Sequence, residues 1–276
     1  MNRFERLALV AIALILLFPV MRFCVPWPRL TARQPTTIRV MTCNVAGKLA
    51  VHDQLAEIIR EAKPDVAMFQ ECPEEVASFV PADWHILRTG NIAIASRFPI
   101  KSHGVVKREH PPTRWPRPIC HVAEVACPEG PLRVATLHLQ SPRHGLSAIT
   151  DARTMIRPSR RYELIEQTQH RRDESRQVSE ELARLGGVDL IAGDFNTTED
   201  STIYRESWSD YRNAYSQAGF GFGHTVTISE GGIGFTARID HILTSEDWTA
   251  NVSWVGPPFG ADHRPLVADL SRKSAP

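Results

Sequence analysis

Six apolar stretches of this chain carry, at or near their ends, a polar side chain out of keeping with the run around it. They are IRVMTC before Asn44, DVAMFQ before Glu71, VATLHLQ around His138, LIAGDFN with Asp194 and Asn196, RID ending in Asp240, and Asp262-His263 ahead of LVADL. Short apolar runs bounded by turn residues read as strands buried on both faces. Polar groups at strand ends gather where strands meet loops, which is where α/β folds carry their sites. In an extended segment residues i and i+2 share a face, so Asp194 and Asn196 point one way while Phe195 enters the core.

The spacing predicts strands over Ile38–Asn44, Val66–Gln70, Asn91–Ser96, Arg133–Leu139, Asp189–Ala192, Arg238–Leu243 and Leu266–Leu270. Between them, His52–Ala62 sets Leu55, Ile58, Ile59 and Ala62 on one helix face and stops at Lys63-Pro64-Asp65. Tyr162–Leu185 is the longest helical stretch, closed by Gly186-Gly187. The Pro-rich segment 111–118 reads as a loop, and 101–121 and 141–161 as the loops that bound the site. Gly231-Gly232-Ile233-Gly234 has no helix after it, so it reads as a flexible loop and not a nucleotide cradle. No repeat and no second composition regime breaks the chain, which implies one domain over 38–272.

Ahead of that domain, Leu7 to Met21 is a run of 15 apolar residues after Arg3 and Arg6. As helix it rises about 22 Å, against a bilayer core of about 30 Å. Residues 1–28 are expected to be a retained signal-anchor or a cleaved signal peptide, and 29–37, with Pro28 just ahead and Pro35 within, a stiff linker. Arginines on both sides leave orientation open, but either reading puts the domain outside the cytoplasm, anchored or secreted.

Without residues 1–34 the chain carries 27 basic and 30 acidic residues. A binder of long nucleic acid carries a basic excess, because phosphate contacts supply most of the affinity. Two local clusters offset this: Lys101, Lys107, Arg108, Arg114 and Arg117, and Arg153, Arg157, Arg160 and Arg161. Five cysteines without a CxxC pair argue against a zinc site, and only Cys120 and Cys127 are spaced as a candidate disulfide.

The strand-end inventory is three carboxylates (Glu71, Asp194, Asp262), two carboxamides (Asn44, Asn196) and two histidines (His138, His263). Hard oxygen donors favour Mg²⁺ or Mn²⁺ over zinc. Magnesium takes one or two carboxylates and leaves amides and imidazoles for phosphoryl oxygens, an arrangement suited to metal-assisted phosphoester hydrolysis. His241 should face away from Asp240, its strand neighbour, and be structural.

TCNVAG, FQE, SRFPI, LHLQ, GDFN, RIDHIL and DHRPL stand in one order between residues 38 and 270. That order resembles the endonuclease/exonuclease/phosphatase superfamily, which spans deoxyribonuclease-like nucleases, abasic-site endonucleases, neutral sphingomyelinases and inositol-polyphosphate phosphatases. The resemblance implies a four-layered α/β sandwich, two mixed β-sheets packed face to face with outer helices, here preceded by one N-terminal hydrophobic helix. It implies Glu71 as principal metal ligand, with Asn44 and Asp262 as further metal- or phosphate-side groups, for one or two ions. Asp194 matches the carboxylate that orients or deprotonates water, and Asn196 lies beside the scissile phosphate. His263 matches the histidine that is general base or transition-state stabiliser, oriented by Asp240. His138 matches the phosphate-binding or leaving-group histidine of the deoxyribonuclease and sphingomyelinase branches. Arg143, His144, Arg114 and Arg117 are candidate substrate contacts.

Three readings follow. The first is a Mg²⁺-dependent monomeric phosphoester hydrolase, tethered to a membrane by its N-terminal helix, acting on lipid-linked or small extracytoplasmic phosphoesters. The second is a secreted or tethered deoxyribonuclease-like endonuclease, against which the missing basic excess argues. The third is a binding module with a decayed site, against which stands the presence of every expected residue type. Monoester and diester cleavage are not separable from the sequence.

Overall fold

The computed structural model describes residues 3–26, 35–48, 51–109, 117–142, 158–230 and 233–273. One sheet runs in the order β13-β14-β1-β2-β4-β3 and the other β5-β6-β7-β8-β12-β9. The first comprises β1 (Ile38–Asn44), β2 (Val66–Gln70), β3 (His85–Thr89), β4 (Ile92–Ser96), β13 (Trp248–Val255) and β14 (Leu266–Arg272). The second comprises β5 (Ile100–Lys107), β6 (Pro118–Cys127), β7 (Gly130–His138), β8 (Leu190–Asp194), β9 (Arg212–Asn213) and β12 (Asp240–Thr244). Each sheet is mixed: β1 with β2 and β7 with β8 are parallel, and the remaining pairs are antiparallel.

The two-residue alternation of strands sorts the apolar side chains into layers. Val40, Val66, Met68 and Ile94 of one sheet meet Val134, Leu190, Ala192 and Ile242 of the other in a shared core. The outer face of the first sheet offers Met41, Cys43, Ala67 and Phe69 to Leu55, Ile58 and Ile59 of α2 (His52–Ala62), after the N-terminal α1 (Arg3–Ile15). The outer face of the second offers Ala135, Leu137 and Ile191 to Val178 and Leu182 of α3 (Pro158–Arg184) and to Trp208 of α4 (Thr202–Trp208). The result is the four-layered sandwich that the motif order implied.

Two loops expected from sequence turn out to be structured. Of 101–121, residues 101–107 belong to β5 and 118–121 to β6, whose long antiparallel pairing covers the edge of the second sheet. Gly234, expected in a flexible loop, lies in β11 (Ile233–Ala237), which pairs with β10 (Val226–Glu230); Gly231 and Gly232 lie outside the described residues. The short α4 and α5 (Ala214–Ala218) are fixed by caps, Ser201 accepting from Tyr204 N–H and Asn213 from Tyr215 and Ser216 N–H. All five cysteines are free, so Cys120 and Cys127 do not pair.

The N-terminal run also departs from expectation. Helix α1 ends at Ile15 and widens into a π turn over Leu16–Val20. No helix among the described residues is long and apolar enough to cross a membrane. The chain instead joins the domain ahead of the proposed linker. Cys24, 8% exposed, is part of the inter-sheet core and bridges to Gly221. Phe23 packs edge-on against Phe18, Phe220 and Phe222. Arg238 donates to Cys24 Sγ at 3.3 Å while its other nitrogen holds Glu199 at 3.0 Å.

Removing residues 1–34 strips that seal from the core and from Arg238. A chain beginning at 35 is expected to lose about 2 kcal/mol of stability, a fall in Tm of roughly 4–8 °C against the full chain in thermal unfolding. An unchanged Tm would show that the Phe23–Cys24 segment adds nothing to the fold.

Candidate active site

Strand register and alternation bring the polar strand ends together. In β1 the inter-sheet face carries Val40, then Thr42, then Asn44; in β8 it carries Leu190, Ala192 and Asp194. Asn44 therefore points at the opposite sheet, and its Nδ2 donates to Asp194 Oδ2 at 3.0 Å. Within the second sheet His138 of β7 and Asp240 of β12 are the register partners of Asp194 on either side. Asn44 pairs with Gln70 of β2, so Glu71 follows at the same sheet end. His263, ahead of β14, is held by a bridge to Val226 of β10.

Close approach of β7 and β8 explains the glycine of GDFN. A Cβ on Gly193 would stand 2.0 Å from the Leu137 carbonyl oxygen. Glu71 (φ 47°) and Asn196 (φ 51°) both take the left-handed backbone that side chains avoid, strain of the kind stored at functional sites.

Asp194, 1% exposed, is the hub. Its Oδ1 accepts from Asn196 N–H at 2.9 Å. Its Oδ2 faces Asn44 Nδ2, His138 Nε2 at 3.7 Å and His263 Nε2 at 3.8 Å. Glu71 Oε1 lies 3.3 Å from Asn44 Nδ2 and 3.7 Å from His138 Nε2, and its side chain opens to solvent. Two carboxylates thus converge on one imidazole and one amide, and their hard oxygens are of the kind that divalent cations take.

Asn44, expected on the metal side, meets those carboxylates as a donor. Its carbonyl oxygen is taken by Ala46 N–H at 2.9 Å, so in this geometry it braces the carboxylates. Asp262, also expected as a ligand, is half-buried; its carbonyl accepts from Thr227 N–H, and its charge stabilises the His263 proton. One atom each of Asp194, Asp240 and His263 also lie within 4.8 Å of one another, but His263 Nδ1 is tied to Asp240 and offers no free lone pair.

The Asp240–His263 pair is a buried relay. Asp240 is 0% exposed, and its Oδ2 accepts from His263 Nδ1 at 2.8 Å. Burial works against the His263 charge, but the carboxylates of Asp240, Asp194 and Asp262 prevail and raise its pKa to about 10. Burial likewise raises Asp240, with the His263 charge opposing. His241, on the opposite face of β12, bonds Asn213 and the Thr197 carbonyl; burial, with Arg238 adding to it, lowers its pKa to about 3, as befits a neutral structural histidine.

A cavity of about 440 Å³ opens over these groups, lined by Glu71, His138, Asp194, Asn196 and His263 together with Thr168, Arg171, Thr197, Val226, Phe235 and Ile239. Asn196 donates its amide to the Leu139 carbonyl at 2.8 Å. Arg114, Arg143 and His144 lie outside the described residues, and Arg117 is exposed at the start of β6, away from the cavity lining. Arg171 and the apolar wall of Val226, Phe235 and Ile239 were not anticipated.

A profile of the Endonuclease/Exonuclease/phosphatase family matches residues 41–263. No curated protein matches the chain. Among solved structures, an endonuclease/exonuclease/phosphatase from Beutenbergia cavernae superposes with a TM-score of 0.63 at 18% identity, covering 88% of this chain and 73% of that one. A D. rerio TDP2 humanized by 14 mutations gives 0.61 at 17% identity, covering 85% and 98%. The mannosyl-6-phosphatase of Bacteroides thetaiotaomicron gives 0.61 at 17%, covering 85% and 99%. At these identities the likeness is one of fold.

Because the His263 pKa is raised above its unfolded value of 6.5, the pair's stabilisation is complete below about pH 6.5 and is lost as pH rises through about 10. Urea unfolding between pH 6 and 10.5 should show that loss in the parent and a flatter profile in Asp240→Asn. His263→Ala strands the Asp240 carboxylate and is expected to cost about 3–5 kcal/mol. Equal stability of His263→Ala and parent at pH 7 would remove the ion pair from the account.

Proposed function

This chain belongs to the endonuclease/exonuclease/phosphatase family, and from that premise we propose that it is a divalent-metal-dependent phosphoester hydrolase. The observation that carries the reading is the convergence of Asn44, His138 and His263 on one oxygen of Asp194, with Glu71 beside them. A Mg²⁺ or Mn²⁺ ion held by Glu71 and Asp194 would supply positive charge to a phosphoryl oxygen.

The protein's own groups divide the remaining work. Asp194, fixed through Asn44 and the Asn196 N–H, orients the attacking water. His263 Nε2, on the cavity wall beside Asp194, stabilises a phosphoryl oxygen as charge builds there. Asp240 holds the Nδ1–H and with it the ring orientation. His138 Nε2, facing both Glu71 and Asp194, is placed to protonate the leaving oxygen.

The substrate we favour is a small or lipid-linked phosphoester. A cavity with Val226, Phe235 and Ile239 among its lining residues supports a compact or partly apolar leaving group. The exposed apolar residues of α1, from Phe4 to Ile15 and interspersed at their start with Arg3 and Arg6, support attachment at a lipid surface without a spanning segment. An extracytoplasmic placement goes with that reading.

The full chain is tested with Mg²⁺ on bis(p-nitrophenyl) phosphate, p-nitrophenyl phosphate, short-chain phospholipids and supercoiled plasmid. Asp194→Ala should lower kcat about 10²–10⁴-fold with the fold retained. Glu71→Gln should raise the Mg²⁺ concentration needed for half-maximal rate. Plasmid nicking as the dominant activity would transfer the substrate assignment to nucleic acid; near-normal turnover by Asp194→Ala would overturn the site itself.

A further inference from the structure

Helix α3 passes over the second sheet with its Val178 and Leu182 in the outer core, and about two turns before Val178 it brings Arg171 to the lining of the catalytic cavity. The guanidinium is half-buried and reaches the loop that follows Asp194. Its Nη2 donates to the Asn196 carbonyl at 2.6 Å. No carboxylate lies within ion-pair distance of it among the described residues. Its neighbours on the helix are each taken: Arg172 pairs with Glu206, and Glu174 with Arg108. A guanidinium has five N–H donors, and among the described residues one is used here. The other basic side chains that line the cavity are histidines already engaged with Asp194, Asp240 or Glu71.

We propose that Arg171 is the substrate-anion receptor of this site, its free N–H groups taking non-bridging phosphoryl oxygens of the phosphoester that Asp194 and His263 act upon. The inference rests on the phosphoester reading above. The geometry separates Arg171 from the groups that do chemistry: it reaches Asn196 and the cavity, while Asn44, His138 and His263 surround Asp194. Planar fork geometry makes arginine the side chain that meets two phosphoryl oxygens at once, which a lysine does as a point charge only. Burial lowers the Arg171 pKa, with the charges of Glu174 and Asp194 opposing that fall, so this cation is poorly hydrated and has more to gain from an incoming anion. Its Asn196 contact adds a second consequence: the receptor and the left-handed Asn196 turn are one mechanical unit, so an anion bound there also steadies the loop that holds Asp194.

The test uses the full chain as parent, Arg171→Gln, Arg171→Lys and, on the neighbouring exposed position, Arg172→Gln. Steady-state kinetics with Mg²⁺ and bis(p-nitrophenyl) phosphate are read alongside competitive inhibition by inorganic phosphate and the rise in Tm that inorganic phosphate produces. Arg171→Gln should raise KM and the phosphate inhibition constant about ten- to hundred-fold, with kcat changed by less than about five-fold, and abolish the phosphate-induced rise in Tm. Arg171→Lys should recover part of both, and Arg172→Gln should match the parent. Unchanged KM and phosphate inhibition in Arg171→Gln, with a lower Tm or kcat, would reduce Arg171 to a brace for Asn196 and overturn the proposal. If the parent turns over no phosphoester yet phosphate raises its Tm and not that of Arg171→Gln, the hydrolase reading fails and the anion receptor stands.

Discussion

Asn44 crosses from one sheet to the other to donate its amide to Asp194, and the catalytic end of the sandwich is organised around that bond. The amide's orientation is set by the Ala46 N–H on its carbonyl, so a donor and not an acceptor is presented to the carboxylates. That choice matters energetically. Asp194 is buried and sits near Glu71 and Asp240, and without donors facing it a buried carboxylate would be costly. The alternation of β1 and β8 aims the two residues at each other, so the site inherits its geometry from the packing of Val40, Leu190 and Ala192.

The second half of the site is an ion pair kept from water. Asp240 continues the face of β12 that holds Ile242 in the core, and it meets His263 only because the β10–β11 hairpin delivers that residue through the Val226 bridge. The hairpin also contributes Val226 and Phe235 to the cavity wall. One element therefore fixes both the position of the histidine and the apolar character of the space in front of it. At the far side of the same wall, Arg238 ties Glu199 and Cys24 together, so the N-terminal segment seals the region behind Asp240.

The sequence made the inner strands legible because their runs are apolar on both faces: IRVMTCN, VAMFQ and LIAGD need no partner to be recognised as buried. The site residues were legible for the same reason, as polar exceptions at the ends of such runs. The strands overlooked lack that signature. IKSHGVVK is exposed at several positions, and PICHVAEVAC opens on proline and buries a histidine whose partners, Thr89 and Ser102, come from other strands. α4 and α5 depend on single capping residues and tertiary contacts. Arg171 was hidden because HRRDESR reads as a solvated helix face, and only the crossing of α3 over the sheet decides which of its charges turns inward. The apolar N-terminal run, by contrast, was legible as a helix but not in its end: the π turn and the docking of Phe23 and Cys24 depend on Gly221 and Phe222, some 200 residues away.

In the proposed reaction the site directs water onto phosphorus. The direct measurement is turnover of bis(p-nitrophenyl) phosphate by the full chain with Mg²⁺ in ¹⁸O-enriched water, with mass analysis of both products. Label in p-nitrophenyl phosphate and none in p-nitrophenol is the predicted result. Label in p-nitrophenol, or turnover undiminished by EDTA, would contradict it.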